Sequence, residues 1–207
     1  PLTALKPSQE LVRTHEHATG SAWQATGDDP QFLLTRRLPL PGWQMLEVGM
    51  THDQSSASVK LYFDTGVGFN EEQSIHLPLK VGQVTKRLFY VPRGLKALRF
   101  DPMSQAGYFA VTHLRMAWLT PGFARKRLVQ RLVKMHHQWR GTAHSEVLPA
   151  IKAQAARENQ SWRALALAQY GSTFEQSTVR HSYERWLRER RELSAERVQR
   201  LVEKLPR

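Results

Sequence analysis

Residues 57–63 read Ala-Ser-Val-Lys-Leu-Tyr-Phe. Apolar and polar positions alternate with a period of two. Val59, Leu61 and Phe63 therefore fall on one side of an extended chain, with Lys60 and Tyr62 on the other. Working outward, the same period recurs between punctuating turns. Upstream, Phe32–Leu38 ends in Leu-Pro-Leu-Pro-Gly (38–42), and Trp43–Met50 places Leu46, Val48 and Met50 on one face. Downstream, Gly66 and Gly68 mark a turn before Ser74–Leu79, and Val84–Val91 closes at Pro92-Arg93-Gly94. Ala97–Phe100 runs into Asp101-Pro102 and a turn ending at Gly107. Tyr108–Leu119 is the longest strand, with Tyr108, Ala110, Thr112, Leu114, Met116 and Trp118 on one face. About seven short strands with no helical period between them predict an antiparallel, jelly-roll-like β-sandwich over 23–120. Residues 1–22 show little periodicity and read as an arm or an edge strand.

Thr120-Pro121-Gly122 marks a boundary, after which the apolar period changes to about 3.6. In Phe123–Trp139, Leu128, Leu132 and Met135 share a face with Val129 and Val133, and Arg125, Lys126, Arg127, Arg131 and Lys134 occupy the rest. Gly141 ends that helix. Glu146–Ala168 predicts a second, with Pro149 placed in its first turn, and Gly171-Ser172-Thr173 predicts a break. The segment His181–Arg207 carries Tyr183-x-x-Trp186 on one helical face. It breaks at Leu193-Ser194, and Leu205-Pro206-Arg207 follows a short amphipathic helix. Residues 121–207 thus read as a basic α-helical linker after the sandwich.

The charge follows that division. Of a net charge of +12, residues 1–119 hold 12 Lys and Arg against 10 Asp and Glu, and residues 120–207 hold 18 against 8. The front is nearly neutral, while the back favours anionic partners such as lipid head groups or nucleic acid. There is no cysteine, which excludes disulfides, thiol catalysis and Cys-ligated zinc. No apolar run approaches the roughly 20 residues that span a bilayer. The expected location is the cytoplasm, peripheral at the inner membrane.

No catalytic constellation stands out. The sequence has no Gly-rich phosphate loop, no G-x-S-x-G elbow and no D-x-D pair for a metal-bound nucleotide diphosphate. Asp28-Asp29 precede Pro30 and read as a turn. His136, His137 and His144 lack a ligand partner at helical i, i+4 spacing and read as a solvated helix end; His15 and His17 sit in a polar arm. The aromatic set Trp23, Trp43, Tyr62, Tyr90 and Tyr108, with Asp64 and Gln31, has two readings. It forms a sugar-stacking surface, because pyranose C–H groups pack on aromatic faces, or it forms sandwich core and rim. The basic helix 123–139 likewise lies on an anionic membrane or packs on the sandwich with a solvated face. Nucleic-acid binding is a weaker reading, since no aromatic-basic RNA motif is present.

Four stretches carry a resemblance. Trp23-Gln24-Ala25-Thr26-Gly27-Asp28-Asp29-Pro30-Gln31-Phe32 resembles the W-x-x-x-G-x-D-P-x-F opening of a β-sandwich, carbohydrate-binding-like module. That module stands at the front of bacterial family 2 (GT-A type) glycosyltransferases of O-antigen and other surface polysaccharides. Leu61-Tyr62-Phe63-Asp64-Thr65-Gly66-Val67-Gly68-Phe69 is similar to a later strand of the module. So is Leu98-Arg99-Phe100-Asp101-Pro102 followed by Gly107-Tyr108-Phe109. The tail with Tyr183, Trp186 and Leu205-Pro206-Arg207 resembles the segment before the catalytic domain. The resemblance implies a parent enzyme whose downstream domain supplies the catalytic base, the divalent metal site and the nucleotide-sugar donor site. No residue here inherits a catalytic role, and no cofactor is expected in this chain. It also implies a glycan or lipid-linked acceptor, with Trp23, Trp43, Tyr62, Asp64, Tyr90 and Tyr108 as carbohydrate-binding candidates. Arg125, Lys126, Arg127, Arg131, Lys134, Tyr183 and Trp186 are then expected to contact a membrane or the enzyme's own catalytic domain. The competing class is an interaction module with no glycan affinity.

Overall fold

The computed structural model describes residues 6–14, 21–35, 38–54, 58–80 and 82–174. Ten strands build two antiparallel sheets. One has the order β1 (Lys6–Gln9), β4 (Gln31–Leu34), β9 (Ala97–Asp101), β6 (Ser58–Asp64), β7 (Ser74–Pro78). The other has the order β2 (Leu11–Thr14), β3 (Ser21–Ala25), β10 (Gly107–Trp118), β5 (Gly42–His52), β8 (Thr85–Val91). They are called the first and second sheets below. The chain crosses between them at most connections, which makes the sandwich jelly-roll-like. Among the described residues three helices follow: α1 (Pro121–Met135), α2 (His144–Arg157) and α3 (162–174).

The alternation that predicts β6 also fixes its orientation. Val59, Leu61 and Phe63 are buried between the sheets, and Phe63 stacks on Phe89 of the opposite sheet at 5.7 Å. Phe32 meets Phe109 across the gap edge-on at 6.4 Å and lies beside Phe100. Each such ring contributes on the order of 2 kcal/mol by leaving water. The predicted single face of β10 is corrected by a bulge. Its register on β5 slips between Val111 and His113. Phe109 and Val111 point inward before the slip, and Leu114 and Met116 after it. An extra residue in a strand inverts the parity of everything beyond it, so Tyr108 and Leu114 face opposite ways.

The sandwich takes in Lys6–Thr14, residues whose weak periodicity reads as an arm or an edge strand. β1 and β2 are short edge strands, one on each sheet, and Glu10 joins them at φ 51. The Glu10 carboxylate accepts the Asp29 N–H at 2.8 Å and lies against Gly27, where a Cβ would come within 2.2 Å of it. A side chain at 27 would displace the Glu10 carboxylate from this position.

The second sheet is apolar on both faces at the Trp43 end of the β5–β8 pair, whereas further along Glu47, Lys86 and Arg115 make its outer side charged. On its outer side Trp43, Met45 and Leu88 are 4%, 8% and 1% exposed. The covering is helical. Thr120 caps α1, and Ala124, Leu128 and Leu132 bury its inner stripe as it packs on β5 and β8. α3 runs along β8, the free edge of the second sheet, where the Leu88 N–H donates to the Tyr170 hydroxyl at 3.0 Å. Arg131 ties α1 to α3. Its Nε donates to Thr173 Oγ1 at 2.6 Å, and its guanidinium lies 3.6 Å from the Phe174 ring centre. The second predicted helix is two helices, broken by a turn at 158–161 in which Asn159 adopts φ 50. Pro149 sits beyond the first turn of α2, and Gly171-Ser172-Thr173 continues α3 instead of ending it. α1 stops at Met135, short of the predicted Trp139, and a 3-10 turn over His137–Trp139 follows.

Tyr170→Phe deletes the acceptor of a buried N–H at the sheet edge. It should lower unfolding free energy by about 1–2 kcal/mol in urea titration, with the loss read equally by far-UV circular dichroism and Trp fluorescence.

Candidate functional site

β7 and β8 are the free edges of the two sheets on the same side of the sandwich. Arg87 bridges them, its Nη1 donating to the His76 carbonyl of β7 while its guanidinium faces the Phe174 ring at 4.9 Å. α3 shields this edge incompletely and leaves a cleft of about 590 Å³. Tyr90, half-buried, is the ring open to it, with Phe63, Leu88 and Phe89 buried beneath, and Leu167, Ala168 and Gly171 of α3 form one wall. Glu72, Gln73, Ser74 and Ser172 supply polar groups. Tyr90 is held edge-on by Trp43 at 5.4 Å and has the Arg163 guanidinium 4.0 Å from its ring centre. An apolar floor with a few hydroxyl, amide and carboxylate groups suits a small polyhydroxylated or mixed-polarity ligand, and the volume falls in the range of ligand sites.

The six aromatic and acidic residues singled out from sequence do not gather in one place. Tyr90 lines the cleft. Trp43, 4% exposed, is core under the helices. Trp23 packs edge-on against Phe32 at 5.0 Å. Tyr108 is 55% exposed at the start of β10, where its N–H donates to Asp53. Tyr62 and Asp64 belong to the outer face of the first sheet.

On that face the motif stretches meet around Arg99. Its guanidinium contacts Asp101 at 2.7 Å and Asp29 at 3.3 Å, and it stacks over Tyr62 at 4.4 Å, with Phe69 at 5.9 Å. The Tyr62 hydroxyl donates to Glu71 at 2.6 Å, and Lys60 reaches the same carboxylate. Asp64 accepts the Gly66 and Gly68 N–H groups, both glycines at positive φ. Tyr62 is 5% exposed, and Arg99 and its carboxylates satisfy one another. The residues that carry the resemblance thus serve here as an internal staple that fixes the 65–73 loop on the sheet.

Of the basic set, Arg125, Lys126, Arg127 and Lys134 are exposed, whereas Arg131 is half-buried, its charged form disfavoured by burial. The predicted solvated histidines divide. His137 and His144 are exposed, but His136 is 4% exposed and its pKa is depressed by burial. The chain folds back from α1 into the 3-10 turn and draws that ring inward, with His137 stacked on it at 4.6 Å. Tyr183, Trp186, His15 and His17 lie outside the described residues. Among the described residues no three His, Asp or Glu side chains gather where a metal could bind. Sequence reasoning missed Glu72, Gln73, Ser74, Arg87 and Ser172. The one available signal was Arg87, the second of two basic residues directly before the apolar run Leu88–Val91.

No family model matches the chain. No curated protein matches it either. Among solved structures it is similar to the C-terminal family 6 carbohydrate-binding module of LamC, a marine laminarinase from Zobellia galactanivorans. The identity is 10% over 56% of this chain and 94% of that one, with a TM-score of 0.41. A family 6 module of Cellvibrio mixtus lichenase 5A, in complex with cellotriose, is similar at 10% identity. It covers 57% of this chain and 89% of that one, with a TM-score of 0.37. A cycloisomaltooligosaccharide glucanotransferase of a Paenibacillus species, complexed with cycloisomaltoheptaose, is similar at 13% identity. It covers 64% of this chain and 20% of that one, with a TM-score of 0.41.

The Arg99 staple has a pH signature. Burial pushes the Asp101 carboxyl above its ordinary value, and Arg99 pulls it back. Arg99→Met leaves that carboxyl buried without its cation. The variant should lose about 3 kcal/mol at pH 7. A raised folded-state pKa means that the folded chain binds the extra proton at acid pH. The deficit should therefore shrink as pH falls toward 4, as measured by urea titration at both pH values.

Proposed function

We propose that this chain is a non-catalytic glycan-binding region of a nucleotide-sugar-dependent glycosyltransferase of bacterial surface polysaccharide synthesis, and that the β7–β8 cleft holds acceptor glycan. The parent class rests on the resemblance of the 23–32, 61–69 and 98–109 stretches. The binding role rests on one observation, a cleft of about 590 Å³ where the half-buried Tyr90 ring and Leu167 meet a polar rim. Sugar rings have apolar C–H faces and hydroxyl edges, and the cleft offers surfaces for both. The described residues bring together no metal-binding group of three. The resemblance implies that the donor site and divalent ion of the parent lie in its catalytic domain, and no step of transfer is assigned to these residues. A lipid-linked acceptor fits the same reading, because the cleft engages only the sugar end.

Calorimetric titration with oligosaccharides cut from bacterial surface polysaccharides should give saturable binding. Ala168→Trp fills the cleft from the exposed side of α3 and should weaken binding at least about tenfold with an unchanged melting temperature. Tyr108→Ala, remote from the cleft, should bind as the parent chain does. Loss of binding in Tyr108→Ala with none in Ala168→Trp would move the site to the β10 end. Absence of saturable binding to every glycan would leave the cleft to a protein segment.

A further inference from the structure

The apolar stripe of α1 is not available to a membrane. Ala124, Leu128, Val129 and Leu132 are 0–5% exposed, and Trp139 is 7% exposed. A different apolar group is open to solvent. Leu40, Trp118 and Phe123 are 68%, 52% and 51% exposed. They sit where β5 begins, β10 ends and α1 starts. The Leu40 carbonyl accepts from Gln44, which pairs with Trp118 across the β5–β10 ladder. Trp118 Nε1 lies 3.2 Å from where a Cβ on Gly42 would stand. The Thr120 hydroxyl accepts the Phe123 N–H two residues beyond the strand.

Phe123 opens the outward face of α1. Lys126 or Arg127, Gln130 and Lys134 follow it at i+3 or i+4, i+7 and i+11, and all are exposed. Arg125 flanks the row. Among the described residues no carboxylate lies within ion-pair distance of these cations. The helices at 120–174 hold nine Lys and Arg against two Glu. The segment 175–207 itself carries nine basic and six acidic residues, so it offers this row no net negative partner.

We infer that this corner docks on an anionic lipid surface, with Leu40, Trp118 and Phe123 entering the head-group layer and the α1 cations facing the lipid charges. Trp and Phe favour that depth, and clustered Lys and Arg add attraction to anionic lipid that salt screens. Single-stranded nucleic acid also offers negative charge. The aliphatic Leu40 beside the rings favours hydrocarbon over base stacking. The inference is independent of the cleft.

The test is co-sedimentation of the whole chain with extruded vesicles. Phosphatidylglycerol-containing vesicles should bind, and pure phosphatidylcholine should bind at least about tenfold more weakly. Lys126→Glu combined with Arg127→Glu and Lys134→Glu should reduce binding on the order of a hundredfold. Leu40→Ser with Phe123→Ser keeps every charge and should reduce it about tenfold. Both variants should retain the parent melting temperature and glycan titration, which separates a failure here from a failure of the glycan reading. Equal binding to neutral and anionic vesicles would overturn the proposal, as would undiminished binding by Leu40→Ser/Phe123→Ser. Tighter binding to a single-stranded RNA than to anionic vesicles would overturn it in favour of nucleic acid.

Discussion

The Leu88 N–H donating to Tyr170 marks the constraint on which the molecule depends. Where Trp43, Met45 and Leu88 make the second sheet apolar on its outer face as well, that patch cannot face water, and an unpaired edge strand offers its N–H groups to any passing chain. Here one helical layer meets both demands. α1 covers Trp43, Met45 and Leu88 from the outside, and α3 runs along the β8 edge. Arg131, stacked on Phe174 and bonded to Thr173, locks the two helices to each other. The guanidinium is costly to bury, yet its planar face and its N–H fork are both used. Sandwich and helices share one continuous hydrophobic core, so the helices act as a structural layer of the fold.

That layer also creates the cleft. A sandwich alone would leave β7 and β8 as open edges with no concavity. With α3 alongside, the gap between edge and helix becomes a walled space, floored by the same Phe63 and Phe89 that join the sheets. Its shape is therefore coupled to helix docking. Arg87 is the hinge of that coupling, since it reaches from β8 to the β7 backbone and to the Phe174 ring of α3.

Much of this was legible in residues 57–63 and their repeats, because period-two alternation reports which side of a strand leaves water. β6 obeys that rule residue by residue. β5 shows where it fails. Leu46, Val48 and Met50 predicted one buried face, but Trp43 and Met45 are buried on the other by helices distant in sequence. β10 fails for a local reason, the bulge at Thr112, which no composition signal announces. The helical boundaries went astray because Gly171 and Ser172 lie in a helix whose packing overrides their propensity. The cleft was hidden for the same reason: its walls come from β7, β8 and α3, joined only by tertiary contact. Of the aromatic candidates, Tyr90 alone reaches it.

The Arg99 staple explains why the most recognisable residues are not the open site. Gly27 makes room for Glu10, Asp29 and Asp101 hold Arg99, and Arg99 covers Tyr62. Each is chemically particular, so each is conspicuous in a sequence, and each is consumed within the fold. A ring or carboxylate that already has its partners has little left to offer a ligand. The groups that remain exposed are chemically ordinary, and what distinguishes them is place: Ala168 beside the cleft, Leu40 and Phe123 at a corner. Conspicuous residues point to the architecture here, and placement on that architecture points to binding.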